Sequence, residues 1–204
     1  MSVSAPILLA IDTAAPRLQL ALLAGEKLDV SIDEIAQGHA EILFARIEAL
    51  LARNNLAYGD LDRIAVTTGP GSFTGLRIGL SAARGLGLAL GIPVVGVPSL
   101  LAISLGAGDA PTAVRLDARR GEAYFQAFVG PGRPETPAAL LPMETARERV
   151  AGRTTIESPF VDIGALARFA VHLAPADYPA EAAYIRDADA KPQEKARVAR
   201  VGRP

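Results

Sequence analysis

The chain contains no cysteine, only two histidines and almost no excess of one charge, with 21 basic residues against 22 acidic ones for a net of −1. Without cysteine there is no disulfide scaffold, no thiol nucleophile and no Cys-ligated zinc or iron–sulfur site. Two histidines rule out a three-histidine metal site, and His39 and His172 form no His-x-x-x-His or His-Glu-x-x-His pair. The charge balance excludes a globally basic nucleic-acid binder and an acidic disordered chain. Long hydrophobic runs are scarce as well. The apolar stretch at 7–11 ends at Asp12 and has no basic segment before it, so it reads as a strand and not as a signal peptide. Residues 85–108 carry no charge, yet Pro93, Pro98 and several glycines break them into a helix end, a buried strand and a second helix. Half of the 204 residues are apolar, enough for one ordinary domain or two small ones. The composition predicts a soluble, cytoplasmic globular protein with no membrane segment.

What is present is an alternation of elements. ILLAI (7–11) reads as a buried strand ending in Asp12-Thr13, and 18–24 with 27–33 as a hairpin around Ala24-Gly25-Glu26. A helix is expected over about 38–54, a strand over 63–68, a glycine-rich turn, a helix over about 74–90, a strand over 92–97 and a helix from Pro98. That order predicts an α/β lobe with a mixed sheet covered by helices. Residues 112–129 restart the scheme: an apolar strand reaches Asp117, turns tightly and returns, so that Asp12 and Asp117 stand at matching strand ends. Pro131, Pro134 and Pro137 mark a looser stretch, with short helices expected near 144–151 and 163–173. The expected organisation is an N-terminal lobe over 1–108, a smaller C-terminal lobe over 109–190, and a mobile tail over 191–204 with five basic residues and one acidic.

The strongest local signal runs from Thr68 to Gly79. A strand leads through Gly69, Gly71 and Gly75 into a helix N-terminus, where free amides and the helix dipole suit an anion such as phosphate. Ser72 or Thr74 could cap this helix, and Arg77 lies in its first turn. The segment is neither a Walker loop nor Gly-x-Gly-x-x-Gly, and a purely structural turn would use the same glycines. Asp12 and Asp117 could hold a metal-bound nucleotide or simply cap turns. The candidate nucleotide or phosphate set is therefore Asp12, Gly69, Gly71, Ser72, Thr74, Gly75 and Arg77. No catalytic set and no metal set can be assembled, and Ser72 lies in no Gly-x-Ser-x-Gly elbow.

The two long helices speak to partners. A wheel for 38–54 puts Ala40, Leu43, Phe44, Ile47, Leu50 and Leu51 on one apolar stripe and Ile42, Ala45, Ala49 and Ala52 on a second, with Glu41, Glu48, Arg46 and Arg53 between them. The helix over 74–90 is apolar or glycine nearly all round, Arg77, Ser81 and Arg84 excepted. One face of each covers the sheet; the remainder must be buried by something else. The expected partner interface comprises His39, Ile42, Ala45, Ala49, Gly75, Gly79, Ala82, Ala83 and Arg84, the small residues allowing another helix to approach closely. Ala83→Arg is expected to break pairing and leave the fold intact.

In this order along the chain, ILLAIDTA, GHAEIL, TGPGSFTGLRIGLSAARGLGLALGIPVVGVPSL, DARRGEAYFQAF and AAYIRD resemble the TsaB (YeaZ) family, with Ala14 standing where a serine is usual. The resemblance implies an actin-like (ASKHA, ribonuclease-H-like) fold of two lobes with mixed sheets, the second lobe reduced. It implies a role in forming threonylcarbamoyladenosine in tRNAs that read codons beginning with A. There the chain would be a non-catalytic scaffold subunit that binds and activates the TsaD threonylcarbamoyltransferase through its two N-terminal-lobe helices. A TsaE-like ATPase and, through the complex, tRNA are the other implied partners. No cofactor is required, with ATP or ADP admissible at the shared interface beside the loop 69–75 and Arg77. When the partner is missing, the same helices would favour a homodimer. The alternative is a stand-alone nucleotide-binding phosphotransferase of the same fold, which would need a complete second lobe and a catalytic carboxylate. A metalloprotease would need ligands this chain lacks.

Overall fold

The computed structural model describes residues 5–183 and 185. Its first half holds β1 (Ile7–Asp12), β2 (Leu18–Ala24), β3 (Lys27–Asp33), α1 (His39–Ala52), β4 (Arg63–Thr67), α2 (Phe73–Leu90), β5 (Val94–Val97) and α3 (Ser99–Ser104). The second half adds β6 (Thr112–Arg119), β7 (Glu122–Gly130), β8 (Arg133–Pro134), β9 (Ala139–Pro142), α4 (Met143–Glu148), β10 (Thr154–Ile156) and α5 (Ile163–Ala170).

The strands form two sheets. The first runs β3-β2-β1-β4-β5, an antiparallel meander continued by two strands parallel to β1. β1 and β2 are apolar at almost every position because both faces of this sheet are covered. The period of two divides them cleanly. Leu9, Ile11, Leu20, Leu22, Ile64 and Val66 face α1 and α2, joining Leu43, Ile47, Leu50, Leu80 and Ala83. Leu8, Ala10, Ala21, Leu23 and Ala65 face the other way, onto α3 and α5 and onto Val114, Leu116 and Phe128 of the second sheet. That second sheet runs β10-β6-β7-β8, with β9 also paired to β7 and α4 packed on its outer side over Phe125, Ala113 and Ala123. α5 comes from the second half but crosses β1 and β2, so the chain returns to seal the first sheet. Arg63 fixes that return by donating from Nη1 to the carbonyls of Ala170 and Leu173 at the end of α5.

The termini of the long helices follow from local chemistry. Gly38 precedes α1 at φ 85°, Ser72 caps α2 by accepting from Gly75 N at 3.2 Å, and Gly91 ends α2 at φ 67°. β5 starts at Val94 and not at Ile92, since Pro93 has no amide to give the ladder and contributes only its carbonyl, to Ile64 N. The helices expected near 144–151 and 163–173 end earlier, at Glu148 and Ala170. β8, β9 and β10 have two to four residues each, too short for any alternation to announce them. Beyond α5 the segment 174–183 runs along β5: Gly96 N donates to Tyr178 O at 2.9 Å and Ala183 N to Thr68 O at 2.8 Å. The tail over 191–204 lies outside the described residues, as does most of the AAYIRD segment after Ala183. Among the described residues no helix is long and apolar enough to cross a membrane.

Candidate functional site

Asp12 ends β1 with its side chain 1% exposed. Its Oδ1 accepts from Thr67 Oγ1 at 2.6 Å and from Ala14 N at 3.1 Å, and its Oδ2 accepts from Gln19 Nε2 at 3.2 Å. Burial pushes this carboxyl above the usual carboxylate range, against the hydrogen bonds from Thr67, Ala14 and Gln19 and the nearby His39, which lower it. One side chain thus ties together β1, β2, β4 and the loop after β1. The same loop grips the start of α2: Thr13 Oγ1 donates to Gly75 O at 2.7 Å, and Ser72 N donates to Ala14 O at 2.7 Å.

Three amides of the glycine-rich turn are consumed inside the chain: Gly69 N by Ser99 Oγ, Ser72 N by Ala14 O and Gly75 N by Ser72 Oγ. At Gly75 a Cβ would lie 2.0 Å from Thr13 O, so glycine is there to let the helix meet the loop. The seven sequence-predicted phosphate residues do not converge. Asp12, Gly71 and Ser72 line a cleft of about 440 Å³ between the two sheets, which also holds Asp117, Arg119 and Tyr124. Thr74 and Arg77 line a different hollow on the far side of α2, and Gly69 and Gly75 are buried between. Arg77 stacks on Phe73 with its guanidinium carbon 3.8 Å from the ring centroid. The single phosphate cradle expected from the sequence is therefore not assembled, and these residues do not fit a nucleotide phosphate as a set. Asp12 and Asp117 do share one cleft, as their matching positions in the two strands implied. Among the described residues no group of three or more His, Asp or Glu side chains is placed to hold a metal.

The hollow behind α2 is a groove of about 570 Å³ walled by Ala40, Leu43 and Phe44 of α1 and by Phe73, Arg77, Ile78 and Ala82 of α2. Phe44 is 50% exposed and Phe73 56%. Leu88, 87% exposed, continues the outer stripe of α2 beyond Ser81 and Arg84. Of the expected interface residues, Ala45 and Ala49 on α1 and Arg84 on α2 are exposed, Ile42 is half-buried, and Ala82 is buried at the groove wall. His39, Gly75, Gly79 and Ala83 are instead buried against the chain's own loop and sheet. Gly79 abuts Thr13 Oγ1 and Ala83 is wholly enclosed, so these small residues admit β1 and its loop and not a second protein. The helix wheel places Phe44 on one of two apolar stripes without saying which covers the sheet, and it does not single out Phe73. Phe44 sits at the edge of that stripe, one turn from Glu48, which was the available signal.

A β3-β2-β1-β4-β5 sheet with helices on both faces, followed by a second mixed sheet that also has five strands, defines the actin-like, ribonuclease-H-like class. Comparison with known proteins narrows it. The family model described as TsaD: tRNA N6-adenosine threonylcarbamoyltransferase matches residues 33–132. An uncharacterised protein of Mycobacterium tuberculosis is 44% identical over 59% of this chain and 58% of its own length. The tRNA threonylcarbamoyladenosine biosynthesis protein TsaB of Escherichia coli K12 is 31% identical over 70% of this chain and 65% of its own. YeaZ from Pseudomonas aeruginosa superposes with a TM-score of 0.73 at 26% identity, covering 88% of this chain and 99% of that one. The chain belongs to the TsaB (YeaZ) family. It spans about three fifths of the length of the curated relatives it matches.

Proposed function

We propose that this chain is a non-catalytic scaffold subunit in the formation of threonylcarbamoyladenosine in tRNAs that read codons beginning with A. It would bind a TsaD-like threonylcarbamoyltransferase and hold it in its active form. One observation carries the reading: Phe44 and Phe73 stand half exposed on facing helices across an apolar groove. A monomeric protein keeps few such aromatic pairs in water, and a partner helix would bury both. Ala45 and Ala49 are exposed elsewhere on the outer face of α1, with side chains small enough to let a partner approach there. The TsaB-named relatives supply the chemistry this partner would perform. A TsaE-like ATPase and tRNA would join the assembled complex, in the cytoplasm. The chain itself needs no cofactor; an ATP or ADP held in the complex would meet it at Thr74 and Arg77 on the groove rim.

Phe44→Glu tests this directly, because a half-exposed side chain can be charged without opening the core. Co-purification with the host's TsaD-like protein should fall at least tenfold while the melting temperature stays within about 2 °C, a change of under roughly 1 kcal/mol. Undiminished pairing would remove the groove from the interface.

A further inference from the structure

The first sheet ends in an open edge at β3, its outermost strand, which among the described residues pairs only with β2. Ala24 and Lys27 close a two-residue turn with Gly25 at φ 62°, the geometry in which those two residues exchange both ladder hydrogen bonds. Alternation along β3 then turns the amides and carbonyls of Asp29, Ser31 and Asp33 towards β2, and those of Leu28, Val30 and Ile32 outwards. Such a row of outward groups is a template for another strand.

One side chain stands on that template. Arg53 donates from Nη2 to Val30 O at 3.0 Å. The two oxygens of Asp29 hold the same guanidinium at Nε and Nη2. Arg53 follows the last turn of α1 and is exposed, so burial in the core does not place it there.

β3 is also complementary to itself. Laid antiparallel on a second copy about Val30, it sets Val30 opposite Val30, Leu28 opposite Ile32 and Lys27 opposite Asp33. The outward amides and carbonyls all fall in hydrogen-bonded pairs in this register, and the two five-stranded sheets become one continuous sheet. Ile32, 49% exposed in the single chain, is covered by Leu28 of the other copy.

We propose that Arg53, held in place by Asp29, guards this edge and keeps β3 of a second copy from adding to it. The guarded carbonyl, Val30 O, lies at the centre of the two-fold register. Pairing therefore requires the guanidinium to leave Val30 in both copies at once.

The absence of cysteine lets one spin label be placed at Glu26→Cys, in the exposed turn and outside the paired residues. In the two-fold register the labelled residues of the two copies stand about 27 Å apart, eight residues along the strands and one strand spacing across. Double electron–electron resonance should show little of this distance with Arg53 intact. Arg53→Gln, too short to span Asp29 and Val30, should raise its amplitude about fivefold or more, increasingly so at higher protein concentration. Arg53→Ala should do the same, with circular dichroism matching the parent in both variants. Adding Ile32→Pro removes an outward amide that the single chain does not use in its ladder, and should abolish the signal. No rise near 27 Å in folded Arg53→Gln and Arg53→Ala chains overturns the proposal, as does an equal amplitude with Arg53 present. A distance that survives Ile32→Pro also overturns it, because the copies then meet at another surface.

Discussion

At the scale of single residues, Asp12 has the largest structural consequence. Its two oxygens satisfy three donors in a site closed to water, so Asp12→Ala leaves buried groups unpaired and should cost about 2 kcal/mol. In a chain of this size that lowers the melting temperature by roughly 4–8 °C. The sign of its pH effect follows from the raised pKa: folding favours the protonated acid, so this group's contribution is greatest at low pH and declines as pH climbs through the folded pKa. Asp12→Asn should therefore lose that decline, and denaturant titrations at pH 4 and pH 7 should show the variant gaining on the parent at the higher pH. Ala83 illustrates what a wheel cannot tell. The sequence identifies a small residue on α2, but only the packed sheet shows that its side chain is fully enclosed. Ala83→Arg would push a cation into the core, at several kcal/mol, and should yield unfolded or insoluble protein, contrary to the sequence expectation of an intact fold. Circular dichroism of the purified variant decides it.

At the scale of elements, α1 and α2 were readable because their apolar repeats are long and Gly38, Ser72 and Gly91 mark their ends. Their facing was not. Leu76, Leu80, Ala83 and Gly87 turn inward, which places Phe73, Arg77, Ser81 and Arg84 on the outer stripe, away from the Asp12 cleft. A glycine-rich turn before a helix looks alike whether its amides face a phosphate or a neighbouring loop, and here Ala14 and Ser99 take them. α1 is also fastened to β3, the edge strand. Arg53 Nε and Nη2 donate to the two oxygens of Asp29 at 2.7 and 2.8 Å, and Asn54 adds a third donor. The Arg53 hydrogen bonds hold the Asp29 carboxyl down at about 2. The pair is largely exposed, so it stabilises by under about 1 kcal/mol. Its contribution is complete above pH 4 and is lost as pH falls towards 2. Arg53→Met should cost that small amount at pH 7 and almost nothing near pH 2, by chemical denaturation at each pH.

At the scale of the whole molecule, the first sheet was legible from element order alone, since single-element crossovers leave few arrangements of five strands. The second half was legible only where β6 and β7 repeat the opening pattern. The position of α5 was hidden because nothing local says that a helix following the second sheet returns to cover the first. The result is a platform whose buried clasp, Asp12 with the loop after β1, ties α2 to the sheet, while the outer sides of α1 and α2 present an aromatic-walled groove. Under the proposed scaffold role, that groove is where a TsaD-like partner seats. The most direct measurement is a tRNA threonylcarbamoylation assay with the host's TsaD-like protein, run with this chain, without it, and with the Phe44→Glu variant. The account predicts modification with the intact chain, and at least tenfold less in the other two reactions. Equal modification in all three would contradict it.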